Sequence, residues 1–347
     1  MPDFLPGVEL ARLFYTEAVR PLLGDRPHTA ARLGPGSDVL GHDTARSTDH
    51  DWGPRLELFV EDPGDLHRML AEKLPRRFRG WPTHFVPPGA RVRSMADTDG
   101  PVDHYVTVTA LGPWLHGLLG FDPRDGVTPF DWLATPWQRL AEITGGAVFH
   151  DPAGELTDVR RRLAWYPGDL WRHVLAGQWR RIAEEEAFVG RTAEAGDDLG
   201  SRILTARLCR EVGRLALLLA RRWPPYGKWL MHTLGADPVV PHLRTAVRAA
   251  DGSGRQAALC TAYELAAARQ NALGLSAAPP AVRREFFDRG YAVIGGDRFA
   301  DALRDAITDP VLRRLPLAGS VDQVVDSTDV LVSPPLCRAV MSAFVPR

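Results

Sequence analysis

The spacing of apolar side chains along the first half of the chain predicts a mixture of helices and strands. Apolar residues recur at helical spacing over residues 8–23 and stop at Gly24, which predicts an opening helix. Four shorter runs, with alternating or β-branched apolar positions, predict strands over residues 29–33, 49–60, 102–111 and 147–151. Helical spacing returns between these strands over residues 64–74, 114–119 and 130–143.

The second half of the chain has a different pattern. From about residue 156 onward, apolar positions follow a helical period, with breaks at residues 190–200 and at Pro224-Pro225. We therefore predict an α+β fold. A mixed β-sheet domain with flanking helices covers residues 1–155, and an all-α helical bundle domain covers residues 156–347.

Composition and charge restrict the classes of function. The 347 residues carry a formal net charge of -1, so no strong positive field is available to recruit nucleic acid, and we expect no such partner. Cys209, Cys260 and Cys337 lie far apart, which is typical of buried thiols rather than of a disulfide framework or a zinc site. No apolar run approaches the roughly 20 residues of a membrane span and no signal pattern opens the chain, so we expect a cytoplasmic protein without a membrane partner.

One segment carries residues suited to phosphate chemistry. Gly36-Ser37 is followed by Asp49-His50-Asp51 at the start of a predicted strand, where alternation would place Asp49 and Asp51 on one face. Paired carboxylates bind a hard divalent cation, and a Gly-Ser bend lets backbone amides and a hydroxyl approach phosphate oxygens. The segment predicts a site for a metal-bound nucleoside triphosphate. The alternative is an ordinary surface turn followed by a solvated strand end.

These motifs resemble a known signature. Gly36-Ser37 with Asp49-His50-Asp51 resembles the signature of the nucleotidyltransferase superfamily, which includes the kanamycin and streptomycin adenylyltransferases. Residues 36–41 and 47–55, together with later segments at 166–171, 225–229 and 326–329, resemble the bacterial family called domain of unknown function 4037. The resemblance implies a nucleotidyltransferase-fold sheet domain. It also implies transfer of a nucleoside monophosphate from ATP or another triphosphate to a hydroxyl or amine, with two Mg²⁺ ions.

The catalytic candidates are four acids. Asp49 and Asp51 are the expected metal ligands, whereas a third carboxylate, which the resemblance implies on a later strand, is replaced by Thr107. Asp103 is the carboxylate on that predicted strand, and Glu185 is a candidate base from the helical domain. A solvated helix face would explain Glu185 equally well.

The binding candidates are Gly36, Ser37, Arg55, Tyr226 and Lys228. Arg55 would share the strand face of the two aspartates and contact phosphate, and Lys228 would contact phosphate as bundle-domain lysines do in the adenylyltransferases that the chain resembles. The other interpretation of Lys228 is a surface lysine beside packed aromatic rings. The acceptor, a small molecule or a protein, is not indicated by any motif.

Two other functions are compatible with the same residues. A nucleotide-binding sensor or antitoxin-like module would keep the metal pair with weak or no catalysis, and Thr107 favours it. A His-Asp phosphohydrolase would use His50-Asp51 with His42, but that chemistry places its dyad on a helix, whereas this segment alternates like a strand.

Overall fold

The computed structural model describes residues 2–90 and 92–345, and the chain divides into two compact units. The first unit comprises Met1–Gly126 and Arg139–Ala164, and the second comprises Val127–Gln138 and Trp165–Arg347. The structure mixes helices and strands, with a small mixed sheet and a helical C-terminal part, as the sequence predicts.

The strands of the described residues are short. In chain order they are β1 (Thr29–Arg32), β2 (Arg55–Phe59), β3 (Arg77–Phe78), β4 (Trp81–Pro82), β5 (His84–Val86), β6 (Ser94–Ala96), β7 (Tyr105–Thr109), β8 (Ala147–His150), β9 (Arg284–Glu285) and β10 (Ala292–Val293). Strands β3 and β4, β5 and β6, and β9 and β10 form separate antiparallel pairs.

The other four strands form the central sheet, in the order β7-β2-β1-β8. Strand β1 is antiparallel to β2 and β8, whereas β2 is parallel to β7. These are the four strands that the apolar pattern predicts, so their existence is confirmed. The N-terminal ends of β2 and β7 lie at the edge of the sheet where β1 ends, because β1 runs in the opposite direction.

The start of β2 differs from the prediction. The sequence predicts a strand from residue 49, but β2 begins at Arg55. Asp51 and Gly53 have φ angles of 46° and 138°, which are incompatible with regular strand geometry, and Pro54 has no backbone N–H to donate to a neighbouring strand. The prediction that Asp49 and Asp51 lie on a strand is therefore wrong.

Helices flank the central sheet in the first unit: α1 (Gly7–Phe14), α2 (Arg20–Leu23), α3 (Leu66–Lys73), α4 (Leu111–Leu119) and α7 (Glu155–Arg162). The predicted opening helix is confirmed, although a π-helical segment, Tyr15–Val19, joins α1 to α2. The predicted helical stretch over residues 130–143 is divided into α5 (Pro129–Ala134) and α6 (Trp137–Thr144). Pro136 accounts for this break, because proline disfavours helical geometry at the preceding residue.

The core of the first unit is apolar on one face of β2. Leu56 and Leu58 are fully buried, as the alternating pattern predicts. They belong to one cluster with side chains from the flanking helices: Leu10, Phe14, Leu66 and Leu70. Burial of such side chains stabilises each by roughly 1.5–3 kcal/mol relative to exposure, which holds β2 at the centre of the unit.

The remaining helices belong to the second unit: α8 (Gly168–Glu185), α9 (Phe188–Glu194), α10 (Asp198–Leu219), α11 (Gly227–Leu234), α12 (Val240–Arg248), α13 (Gly252–Ala272), α14 (Gly296–Asp305), α15 (Pro310–Arg314), α16 (Val321–Val324), α17 (Thr328–Leu331) and α18 (Pro334–Met341). Helix α8 packs against α10 and α14, and α10 packs against α13. The three cysteines are buried thiols, as expected. No helix in the described ranges has the length and apolarity needed to cross a membrane.

Candidate functional site

Asp49 lies at the end of a 3-10 helix, Ala45–Asp49, and its side chain is 63% exposed. Its Oδ1 accepts a hydrogen bond from the backbone N–H of His50 at 2.9 Å, and the His50 Nδ1 lies 3.1 Å from the same oxygen. Slight desolvation acts to raise the pKa of Asp49, but the neighbouring His50 charge and backbone amide lower the pKa below its ordinary value. Asp49 therefore presents an ionised carboxylate to solvent.

Asp51 is held in place by two residues that are distant in sequence. Its Oδ1 accepts hydrogen bonds from the Tyr105 hydroxyl at 3.0 Å and from the Arg93 backbone N–H at 3.1 Å. The backbone N–H of Asp51 donates in turn to the Arg93 carbonyl at 2.7 Å. These hydrogen bonds, and not strand alternation, fix the position of Asp51 in the loop before β2.

Arg55, the first residue of β2, joins this loop to the glycine-serine bend of residues 34–37. Its buried guanidinium donates through Nη1 to the carbonyl of Asp51 and through Nη2 to the carbonyl of Pro35 at 3.2 Å. The same group lies 4.4 Å from the centre of the Tyr105 ring. Burial lowers the pKa of Arg55. The structure thus brings the bend and the Asp51 loop to the same end of the central sheet.

A buried ionic cluster, formed by Arg32, Asp38 and Glu57, lies behind the bend. The Arg32 guanidinium donates to both carboxylate oxygens of Asp38, at 2.7 and 2.9 Å, and to Glu57 at 3.3 Å. Glu57 also accepts from the backbone N–H of Leu33 at 2.8 Å. Burial would raise the pKa of Asp38, but the positive charge of Arg32 keeps that pKa below its ordinary value. The cluster fixes the end of β1, where the bend begins.

Position 36 lies so close to this cluster that only glycine fits there. A Cβ atom at Gly36 would lie 2.1 Å from Asp38 Oδ1 and 2.4 Å from Arg32 Nη2, and the φ angle of Gly36 is 154°. Such distances are well inside van der Waals contact, so any side chain here would displace the ion pair. The Gly36 of the sequence motif is therefore required by packing, whatever ligand the bend binds.

Asp103, the candidate third carboxylate, forms an ion pair. Thr107 lies opposite Glu57 in the parallel register of β7 and β2, and the Glu57 side chain is already engaged with the ionic cluster. Asp103 precedes β7, and its carboxylate is 2.8 Å from the Arg93 guanidinium. Among residues 2–90 and 92–345, no group of three or more histidine, cysteine, aspartate or glutamate side chains is arranged to hold a metal ion.

The remaining candidates belong to the second unit and have partners there. Glu185 forms an ion pair with Arg207 at 2.8 Å. Tyr226 is 50% exposed, and its backbone N–H donates to the Gln138 side chain at 3.1 Å. The Lys228 ammonium lies 4.8 Å from the centre of the neighbouring Trp229 ring, a cation-π contact that agrees with the surface-lysine interpretation.

The sequence pattern did not indicate the residues that support the candidate site. Arg32, Asp38 and Glu57 lie near the motif in sequence, and Arg93 and Tyr105 come from distant positions. Asp38 adjoins the Gly36-Ser37 motif, and its acidic side chain six residues after Arg32 is the one local signal that could have indicated an ion pair. Arg93 and Tyr105 contact Asp51 across 42 and 54 residues, and no periodic pattern indicates these contacts.

Comparison with known proteins finds one family. Residues 132–230 match a family model described as "Domain of unknown function (DUF4037)". The match includes all of α8 and α10, and it agrees with the family resemblance of the sequence motifs. No curated protein and no solved structure matches the chain.

Proposed function

We propose that the first unit binds a Mg²⁺-bound nucleoside triphosphate at the bend of residues 34–37 and the loop of residues 49–51. We further propose that it transfers the nucleoside monophosphate to a hydroxyl or amine of an acceptor. The observation that carries the proposal is the pair of hydrogen bonds from Arg55 to the carbonyls of Pro35 and Asp51. They join the two parts of the nucleotidyltransferase-like motif, which are separated in sequence, at one end of a sheet.

The two aspartates suit a hard cation. Asp49 is exposed and ionised, and the side-chain hydrogen bonds of Asp51 use Oδ1. Mg²⁺ prefers oxygen ligands and is typically bound by one or two carboxylates with water and substrate phosphates completing its shell. When bound, the ion would neutralise charge on the triphosphate. Asp49 and Asp51 would hold it.

The bend suits a polyphosphate. Ser37 is partly exposed and offers a hydroxyl, and the backbone N–H groups of such a bend can donate to phosphate oxygens. Support for this location comes from the geometry of the first unit and from the resemblance of residues 36–55 to the superfamily signature. The family match at residues 132–230 lies outside this segment.

A second candidate is a nucleotide-binding module with little or no turnover. The observation that favours it is the pairing of Asp103 with Arg93, together with Thr107 at the expected position of the third acid. Without a third carboxylate, the loop has no assigned general base to remove the proton from the acceptor hydroxyl or amine. The two candidates differ in turnover, and both require metal-dependent triphosphate binding.

Calorimetry with a non-hydrolysable ATP analogue tests the binding step. We expect the wild-type protein to bind the analogue with Mg²⁺ and to lose most of that affinity when EDTA is present. The Asp49→Ala/Asp51→Ala variant should bind at least tenfold more weakly, because both proposed metal ligands are removed.

The matched control is Asp65→Ala. Asp65 has the same exposed fraction as Asp49, 63%, but it adjoins α3 instead of the loop before β2. Equal binding by the wild type and the double variant would reject the proposed site. Pyrophosphate release, measured with Mg²⁺-ATP and a mixture of small hydroxyl and amine compounds, would then separate the enzyme from the binding module.

A further inference from the structure

A cavity of about 150 Å³ lies in the second unit and is lined by four arginines. Arg181 comes from α8, and Arg207, Arg210 and Arg214 come from α10. The α10 arginines are three and four residues apart, which places them on one face of the helix. Residues 322–326 complete the wall. We call this space the arginine cavity.

A single buried carboxylate organises three of these arginines. Glu211 is 1% exposed, and its oxygens lie 3.2 Å from Arg181 Nε, 3.0 Å from Arg210 Nε and 3.6 Å from Arg214 Nη1. The Gln178 amide also donates to Glu211 at 2.8 Å. One negative charge thus fixes three guanidinium groups that would otherwise repel one another.

The arginines at the cavity have more N–H donors than the neighbouring carboxylates and carbonyls accept. Within the described part of the chain, Arg207 reaches Glu185 through Nε, and Arg214 reaches Glu211 and the Asp322 carbonyl through Nη1. Arg181 also donates through Nη1 to the Gln323 carbonyl. Asp326 is 73% exposed and 3.6 Å from Arg210, so solvent screens that pair. Each guanidinium has five N–H donors, and these contacts use few of them.

We infer that the arginine cavity binds a phosphate group. Clustered guanidinium groups recognise phosphate oxygens through paired, charge-assisted hydrogen bonds. The volume of the arginine cavity limits the size of its ligand. Pockets for drug-sized molecules are larger and span roughly 300–1,000 Å³. A cavity of about 150 Å³ takes the phosphate head of a molecule whose remainder lies outside.

The site requires no residue of the first unit, so it goes beyond the proposed nucleotide site and can be tested separately. Calorimetry with inorganic phosphate, in the absence of Mg²⁺, should give a millimolar or tighter dissociation constant for the wild-type chain. Arg207→Gln/Arg210→Gln should weaken binding at least tenfold, because two partly exposed guanidinium donors are removed. Asp49→Ala/Asp51→Ala should bind phosphate as the wild type does.

Arg202→Gln is the matched control. Arg202 lies on the same helix, is 43% exposed against 46% for Arg207, and is likewise paired with one acid, Asp198, but it does not line the cavity. The control should bind phosphate like the wild type. Binding that is absent from the wild type, or equally strong in the double variant, would overturn the inference. Parallel titrations with AMP and ATP show whether the phosphate belongs to a nucleotide or is free.

The pH dependence of sulfate binding gives a second readout. Burial raises the pKa of Asp322, a wall residue that faces Arg214, to about 6. Asp322 also interacts with the buried Tyr166 hydroxyl and accepts a hydrogen bond from the Trp137 backbone N–H at 2.9 Å. The other charged groups at the cavity are Arg181, Arg207, Arg210, Glu185, Glu211 and Asp326. Sulfate keeps its charge between pH 5 and 8, so protonation of Asp322 should tighten its binding roughly tenfold as pH falls through 6. Asp322→Asn should remove this dependence, and an unchanged profile in that variant would contradict the role of Asp322.

Discussion

Arg55 is the residue on which the geometry of the proposed nucleotide site depends most. It is 6% exposed and donates to two backbone carbonyls, one on each side of the site. Lysine retains the charge but has no planar fork with which to reach both carbonyls. Arg55→Lys should therefore lower the free energy of unfolding by about 1–3 kcal/mol and weaken binding of the ATP analogue. Urea denaturation and calorimetry measure these two effects.

Arg68→Lys serves as the control for this substitution. Arg68 is 69% exposed and pairs with Asp65 and Glu72 on the surface of α3, where an exchange of one cation for another costs little. If Arg55→Lys unfolds at the same urea concentration as this control and binds the analogue as the wild type does, Arg55 does not position the site.

At this scale the sequence predicts part of the candidate site. Gly36, Ser37, Asp49, Asp51 and Arg55 lie within one short segment, and their spacing is visible without a structure. Partners that come from distant positions are invisible to such a reading, because they depend on which strands become neighbours. The left-handed backbone at Asp51 is also outside any periodic rule, since it belongs to an irregular loop.

At the scale of elements, Glu186 connects the end of α8 to the start of α14. Its buried carboxylate accepts hydrogen bonds from the backbone N–H groups of Ile294, Gly295 and Gly296 at 2.7, 3.3 and 3.0 Å. Glu186→Gln replaces one accepting oxygen with a donor that faces these N–H groups. We expect a loss of about 1–3 kcal/mol in the free energy of unfolding, measured by chemical denaturation.

Glu184→Gln is the matched control within the same run of three glutamates. Glu184 is exposed, so removal of its charge should change stability by less than about 0.5 kcal/mol. The prediction fails if both variants have the same unfolding midpoint. The sequence shows three adjacent glutamates and does not indicate which one is buried, since α14 lies more than a hundred residues away.

The sequence predicts the elements with strong apolar periodicity better than the short or irregular ones. Strong periodicity identifies the four strands of the central sheet and the longer helices of the second unit (α8, α10, α13 and α14), because burial of one face imposes that period. The start of β2 was predicted too early because Gly53 and Pro54 disrupt the strand without disturbing the apolar alternation that follows. The small strand pairs β3-β4 and β5-β6 have too few residues to produce a pattern.

At the scale of the whole molecule, the two units alternate along the chain. Residues 127–138 group with the second unit, where Asp131 pairs with Arg338 at 2.7 Å and the Trp132 ring lies 5.3 Å from the Tyr166 ring. A fragment of residues 1–164 contains α5 without these partners. We expect it to expose the buried side chains of α5, to bind a hydrophobic dye and to self-associate, as measured by dye fluorescence and light scattering.

A matched pair of variants checks the cause. Trp132→Ser/Leu133→Ser in the fragment should reduce dye binding, because it removes the newly exposed apolar surface. The same pair in the full chain should destabilise it by several kcal/mol, because both side chains are buried there. A monomeric fragment that does not bind the dye would show that α5 does not require residues 165–347 to bury its apolar side chains.

The pairing of β1 with β8 also constrains biosynthesis. Ala30 lies opposite His150, so one side of β1 has no partner until more than a hundred later residues have left the ribosome. Until then the nascent chain carries an open strand edge, which is a template for pairing with other chains. Translation must therefore pass residue 150 before β1 acquires its second neighbour, and slow synthesis ahead of that point prolongs the exposure of this edge.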